Sequence, residues 1–153
     1  MTKCVLYLFA CVAVATAHLC MISPPQRGSM LGINKKGADD CILLAGPCGG
    51  RAMGPAVALS KGQNFTVTFQ KNLDHWVKAT PGHFSVMFGV ETMNLTELVR
   101  IPDMGQPSLS LFSVNITIPV VRPGKGYILQ TQYVTMNPKA PPTFYQCGDI
   151  VVM

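Results

Sequence analysis

A histidine stands directly after Ala15-Thr16-Ala17. If the chain is cut between Ala17 and His18, that residue carries an imidazole and a free α-amine, and the two together can chelate one metal ion. A second histidine would complete three nitrogen ligands in a T. Nitrogen ligands in a planar arrangement suit Cu(II), which heads the divalent affinity order. Two other histidines are present: His75 in QKNLDHWVK and His83 in TPGHFSV. His75, in a loop beside Trp76, is the expected second ligand, because loops at a sandwich end carry function on a rigid scaffold. His83, at the mouth of the next strand, is the alternative.

The cut itself is legible. Residues 1–17 hold one charge, Lys3, then an apolar run from Val5 to Val14, then the small residues Ala15-Thr16-Ala17. Charged start, short apolar core and A-x-A ending read as a secretory signal peptide over 1–17. The run is shorter than the roughly 20 residues of a membrane-spanning helix. The chain is therefore expected to be secreted and extracellular, without a membrane span. Residues 18–153 form one domain of ordinary length.

The rest of the sequence must position those histidines. Residues 18–63 are rich in Gly and Pro, with turn chemistry at Gly46-Pro47-Cys48-Gly49-Gly50, and read as a long ordered loop region. From Asn64 the pattern changes: Phe65, Val67 and Phe69 alternate with Thr66, Thr68 and Gln70, the period of a half-buried strand. His83–Phe88, Ser108–Val121, Tyr127–Val134 and Thr143–Val152 are further strands, the second of them with a bulge near Ser113 where the period shifts. A brief helical turn is expected around Thr96–Val99. Several strands with Gly and Pro between them predict an all-β fold, an immunoglobulin-like antiparallel β-sandwich with long N-terminal loops.

Four cysteines follow the leader: Cys20, Cys41, Cys48 and Cys147. An even count in an oxidising compartment implies two disulfides, with three possible pairings. Three of the four lie in the first third, so at least one bridge ties that region to the C-terminal segment. A thiolate metal site is disfavoured, since no C-x-x-C occurs.

Charged residues are 12% of the chain, and the net charge of +5 falls to +4 without Lys3. The basic residues are scattered, unlike a nucleic-acid groove. Three sequons, at Asn64, Asn94 and Asn115, offer glycan sites that would keep such a surface wet. No nucleophile elbow accompanies the histidines, and no Gly-Lys-Ser/Thr phosphate loop is present.

His18, Pro24-Pro25-Gln26-Arg27-Gly28, Pro47-Cys48-Gly49-Gly50 and Phe144-Tyr145-Gln146-Cys147-Gly148-Asp149 together resemble the copper acquisition factor family of Bim type. Those are secreted histidine-brace copper proteins related to lytic polysaccharide monooxygenases. The resemblance implies an immunoglobulin-like sandwich, one copper ion on His18 and a second histidine, and copper handling. It also implies the pairs Cys48–Cys147 and Cys20–Cys41. An aspartate at or near the metal belongs to that pattern, with Asp149 and Asp74 as candidates. The other reading of Asp149 is a structural carboxylate accepting backbone hydrogen bonds beside the disulfide.

The same ending resembles polysaccharide monooxygenases, in which an aromatic ring occupies the axial site; Phe144 has that spacing. Two readings follow: a monomeric copper-binding protein without turnover, and a copper monooxygenase acting on chitin-like or related glycans. A nearby carboxylate stabilises Cu(II) and disfavours redox turnover, and a single tryptophan is thin support for a polymer-binding face, so binding is preferred. A third reading is a glycosylated extracellular interaction module in which His18 is incidental.

Overall fold

A computed structural model describes residues 18–153; the expected leader 1–17, with Cys4 and Cys11, lies outside the described residues. Eight strands make two sheets: β1 (His18–Ser23), β2 (Val57–Leu59), β3 (Asn64–Leu73), β4 (His83–Val90), β5 (Thr96–Pro102), β6 (Ser110–Thr117), β7 (Gly124–Val134) and β8 (Thr143–Val152). One sheet has the order β1-β3-β6 and the other β2-β8-β7-β4-β5. Alternation decides what each buries. Leu19, Met21, Val67, Phe69 and Ile116 from the first sheet meet Phe84, Val86, Leu129, Tyr133, Phe144 and Ile150 from the second in one core. The stacked rings of Phe69 and Phe112, 5.2 Å apart, and of Phe84 and Tyr133, 4.5 Å apart, fill its centre. The chain is an all-β sandwich of immunoglobulin-like type.

The structure departs from the sequence reading in four places. The supposed loop region contributes β1 and β2. β2 runs parallel to β8, an exception in an otherwise antiparallel fold. Thr96–Val99 is not helical but opens β5, an edge strand whose Val99 and Ile101 lie opposite Val86 and Phe84; tertiary pairing overrides a weak local preference there. β6 has no bulge. Its register against β3 is unbroken from Ser110 to Thr117, with Phe112, Val114 and Ile116 turned inward. The apparent shift of period arose from Leu111, which is 62% exposed and points outward.

Two disulfides hold the loop region: Cys20–Cys41 ties β1 to a short turn at Asp39–Cys41, and Cys48–Cys147 ties the glycine-rich loop to β8. They close loops of 21 and 99 residues. By loop entropy the longer bridge contributes about 1.4 kcal/mol more than the shorter. The double variant Cys48→Ala/Cys147→Ala should therefore lose more stability in urea unfolding than Cys20→Ala/Cys41→Ala. Equal losses, or the reverse order, would contradict this.

Candidate metal centre

β1 and β3 bring the first described residue to the neighbourhood of His75. His18 pairs opposite Leu73, the last residue of β3, and His75 follows two positions on. Both histidines therefore sit at the same end of the three-stranded sheet, and both are buried, at 3% and 7% exposure.

A bulge shapes the His18 side. The register steps from His18–Leu73 to Leu19–Lys71, leaving Asn72 as the extra residue of β3. Its buried carboxamide takes the loop ahead of it in hand: Oδ1 accepts from the backbone N–H groups of Gly37 and Ala38, at 2.9 and 3.1 Å, and Nδ2 donates to the Lys35 carbonyl. This lays Gly37 near the His18 ring; a Cβ on Gly37 would stand 4.0 Å from His18 Cε1. Gly37 has φ +75°, a conformation that favours glycine.

The His75 side is fixed through its backbone. The His75 N–H reaches Tyr133 Oη at 3.4 Å, and its carbonyl accepts from Asn137 Nδ2 at 3.0 Å. Among the described residues its ring nitrogen Nε2, like Trp76 Nε1 beside it, is buried with no hydrogen-bond partner. Buried polar atoms are rarely left so, and an orphan of this kind calls for an explanation such as a bound ion or water. Asp74, next to it, accepts from the Trp76 N–H at 2.9 Å and pairs with Lys71. The Trp76 ring lies against Gly105, where an added Cβ would come within 3.0 Å of it.

Beneath this loop lies a buried charge cluster. Lys71 and Asp103 are both fully buried and 2.7 Å apart. Lys71 Nζ also donates to the Gln106 carbonyl at 2.9 Å, and Tyr133 Oη donates to Asp103 Oδ2 at 2.6 Å. Burial, then the Asp103 carboxylate, pushes the Tyr133 phenol well above its usual range. The sequence reading did not find these residues. One clue was present: Lys71 falls in phase with Val67 and Phe69, where an apolar side chain belongs.

Each of the other candidates has contacts of its own. Asp149, expected near the metal, is committed to Arg27: Oδ1 accepts from Nη2 at 2.7 Å and Oδ2 from Nε at 3.0 Å. Its Oδ2 also accepts from the Gly54 N–H at 2.7 Å. Arg27, whose Nη2 also bonds Glu91 at 2.7 Å, is buried; burial pulls its pKa down, but the bonds to Asp149 and Glu91 outweigh that and raise it. This is the structural-carboxylate arrangement beside the Cys48–Cys147 bridge, and it accounts for the arginine of Pro-Pro-Gln-Arg-Gly. His83 starts β4 in the five-stranded sheet, opposite Pro102 and Val134. Burial, then the Arg100 charge, lowers its pKa below the ordinary value. Phe144 is fully buried opposite Tyr133, with the ring centroids 6.5 Å apart. Among the described residues no group of three His, Cys, Asp or Glu side chains gathers at metal-binding distance. A chelate of one α-amine and two imidazoles needs only two such side chains.

A groove of about 490 Å³ adjoins this end, lined mainly by Val134, Met136, Pro138, Ala140 and Pro142, and it includes the Asn137 that holds the His75 carbonyl. No described helix is long and apolar enough to cross a membrane.

The architecture has counterparts among solved structures. A Jonesia denitrificans lytic polysaccharide monooxygenase, known from neutron crystallography, matches 89% of this chain and 100% of its own at 12% identity and a TM-score of 0.55. An AA10 lytic polysaccharide monooxygenase from Streptomyces lividans matches over 90% and 83% of the two chains at 17% identity, with a TM-score of 0.49. The first likeness establishes a shared fold, and fold by itself does not carry function. No family model matches the chain, and no curated protein does.

Proposed function

We propose that this chain is a secreted copper-binding protein, monomeric, in which His18 supplies its α-amine and a ring nitrogen and His75 supplies Nε2. The observation that carries the reading is the orphaned, buried Nε2 of His75, two residues past the partner of His18. The donor set fits: three nitrogens and no thiolate favour Cu(II) among divalent metals. When bound, copper supplies a strong Lewis acid and a one-electron redox centre. The chain's own part is positional. Tyr133 and Asn137 hold the His75 backbone from either side, and Asn72 fixes the loop that packs on His18. The Ala-x-Ala leader and the two disulfides support export to an oxidising compartment.

Copper handling of the Bim type is the preferred use. Asp74 is the carboxylate that supports it, since it neighbours His75 and its side chain is 34% exposed, whereas that of Asp149 is 1% exposed and bound to Arg27. One observation favours the second reading, a polysaccharide monooxygenase: Phe144, at the spacing of an axial ring, packs against the tyrosine that holds His75. The fold shared with the Jonesia enzyme is in keeping with it. A single experiment separates the two. Mature protein loaded with one equivalent of Cu(II) is given ascorbate, peroxide and chitin or cellulose. The handling role predicts no oxidised oligosaccharide; copper-dependent products that disappear in His75→Ala would establish the monooxygenase.

A further inference from the structure

We infer that Asn64 and Asn115 both carry N-linked glycans, and that the two together cover the outer face and free edge of the three-stranded sheet. The fold joins two sequons, 51 positions apart in sequence, into one unit. β3 and β6 pair with Asn64 opposite Thr117 and Thr66 opposite Asn115. Each sequon threonine donates to the asparagine of the other sequon: Thr66 Oγ1 to Asn115 Oδ1 at 2.7 Å, and Thr117 Oγ1 to Asn64 Oδ1 at 3.0 Å. All four side chains are exposed. The carboxamide oxygens make these bonds, and the amide nitrogens, where sugar would attach, take no part in them. The two asparagines are diagonal neighbours, roughly 7 Å apart on an antiparallel ladder. Two glycans there stand side by side.

The face calls for such a cover. No charged residue occurs from Asn64 to Thr68 or from Leu111 to Thr117. Thr68 and Ser113, with hydroxyls 3.1 Å apart, and the exposed Leu111 continue the uncharged row. Among the described residues β6 pairs with β3 alone, so its outer edge offers backbone N–H and C=O groups that no second strand takes up. Proteins guard such edges with lysine, proline or a bulge, because an open edge templates pairing with another chain. β6 has none of the three, and Asn115 lies within it. A bulky polar glycan at that position prevents a second copy from pairing with the edge. The third sequon residue, Asn94, lies just before β5, in the other sheet.

The test uses the protein secreted from eukaryotic cells. Glycopeptide mass spectrometry should find Asn64 and Asn115 occupied on the same molecules. The variant Asn64→Gln/Asn115→Gln should self-associate as concentration rises, at least doubling the weight-average mass in light scattering. Asn94→Gln should stay monomeric. If the double variant is not secreted, the wild-type chain folded in a bacterial periplasm, which adds no such glycan, decides the matter by the same measurement. An unoccupied Asn115 in the secreted protein overturns the inference. So does a glycan-free protein that remains monomeric at the concentrations tested. Neither result depends on whether copper binds.

Discussion

Replacing Asp103 with alanine is expected to cost about 3–5 kcal/mol of folding stability, the range for removing one partner of a buried ion pair. Asp103 is fully buried and holds three groups: the Lys71 ammonium at 2.7 Å, the Tyr133 hydroxyl at 2.6 Å and the Gly105 N–H at 3.0 Å. Without it, Lys71 keeps the Gln106 carbonyl and Asp74 but loses its buried counter-charge. Tyr133 loses its acceptor under a sandwich core. For a domain of this size the loss corresponds to a fall in Tm of about 10 °C or more. The double variant Lys71→Met/Asp103→Leu should be milder than Asp103→Ala, because it removes the buried ammonium together with its buried partner. Thermal and urea unfolding of the three proteins test this. A cost below about 1 kcal/mol for Asp103→Ala would mean that water or Asp74 compensates Lys71, and that the cluster is not what anchors the His75 loop.

His75→Ala should weaken Cu(II) binding by more than about 100-fold, since loss of partners that merely support a ligand already costs 10–100-fold. The substitution removes one of the three proposed nitrogens and leaves the His18 chelate alone. Blocking the amine should be comparably damaging: a chain that retains Ala17 ahead of His18 keeps both imidazoles but loses the chelate. His83→Ala should leave affinity unchanged, because His83 begins β4 in the other sheet, opposite Pro102. Asp74→Asn should have a smaller effect than His75→Ala. Competition titrations with a calibrated chelator measure these affinities, and electron paramagnetic resonance at one equivalent of Cu(II) reports the number of nitrogens. Unaltered binding in both His75→Ala and the Ala17-extended chain would remove the copper reading and leave a glycosylated extracellular module as the best account.

Much of the sandwich was legible because a strand that buries one face must alternate. Phe65, Val67 and Phe69 marked β3, and the runs His83–Phe88, Tyr127–Val134 and Thr143–Val152 marked β4, β7 and β8. The misreadings came where that rule weakens. β1 and β2 lie among prolines and glycines that read as loop. β5 is an edge strand, so little of its pattern is imposed by burial. In β6 the outward Leu111 imitated a core residue, and only the pairing of Phe112 with Phe69 shows which face is inside.

The sequence by itself determined the candidate chemistry: a histidine after Ala-x-Ala, two further histidines to choose between, four cysteines beyond residue 17, three sequons. Side-chain type and local spacing are enough for that, since each is a property of a few consecutive residues. Only the tertiary structure decided where these residues stand relative to one another. The register of β1 on β3 sets His18 opposite Leu73 and so close to His75 in the chain's path, while β4 carries His83 into the other sheet. Packing on the outside of β8 gave Asp149 to Arg27, 122 residues away. The ladder between β3 and β6 joined two sequons that read as independent. Register and packing are non-local, fixed by the burial of whole faces at once, and so no short stretch of sequence contains them.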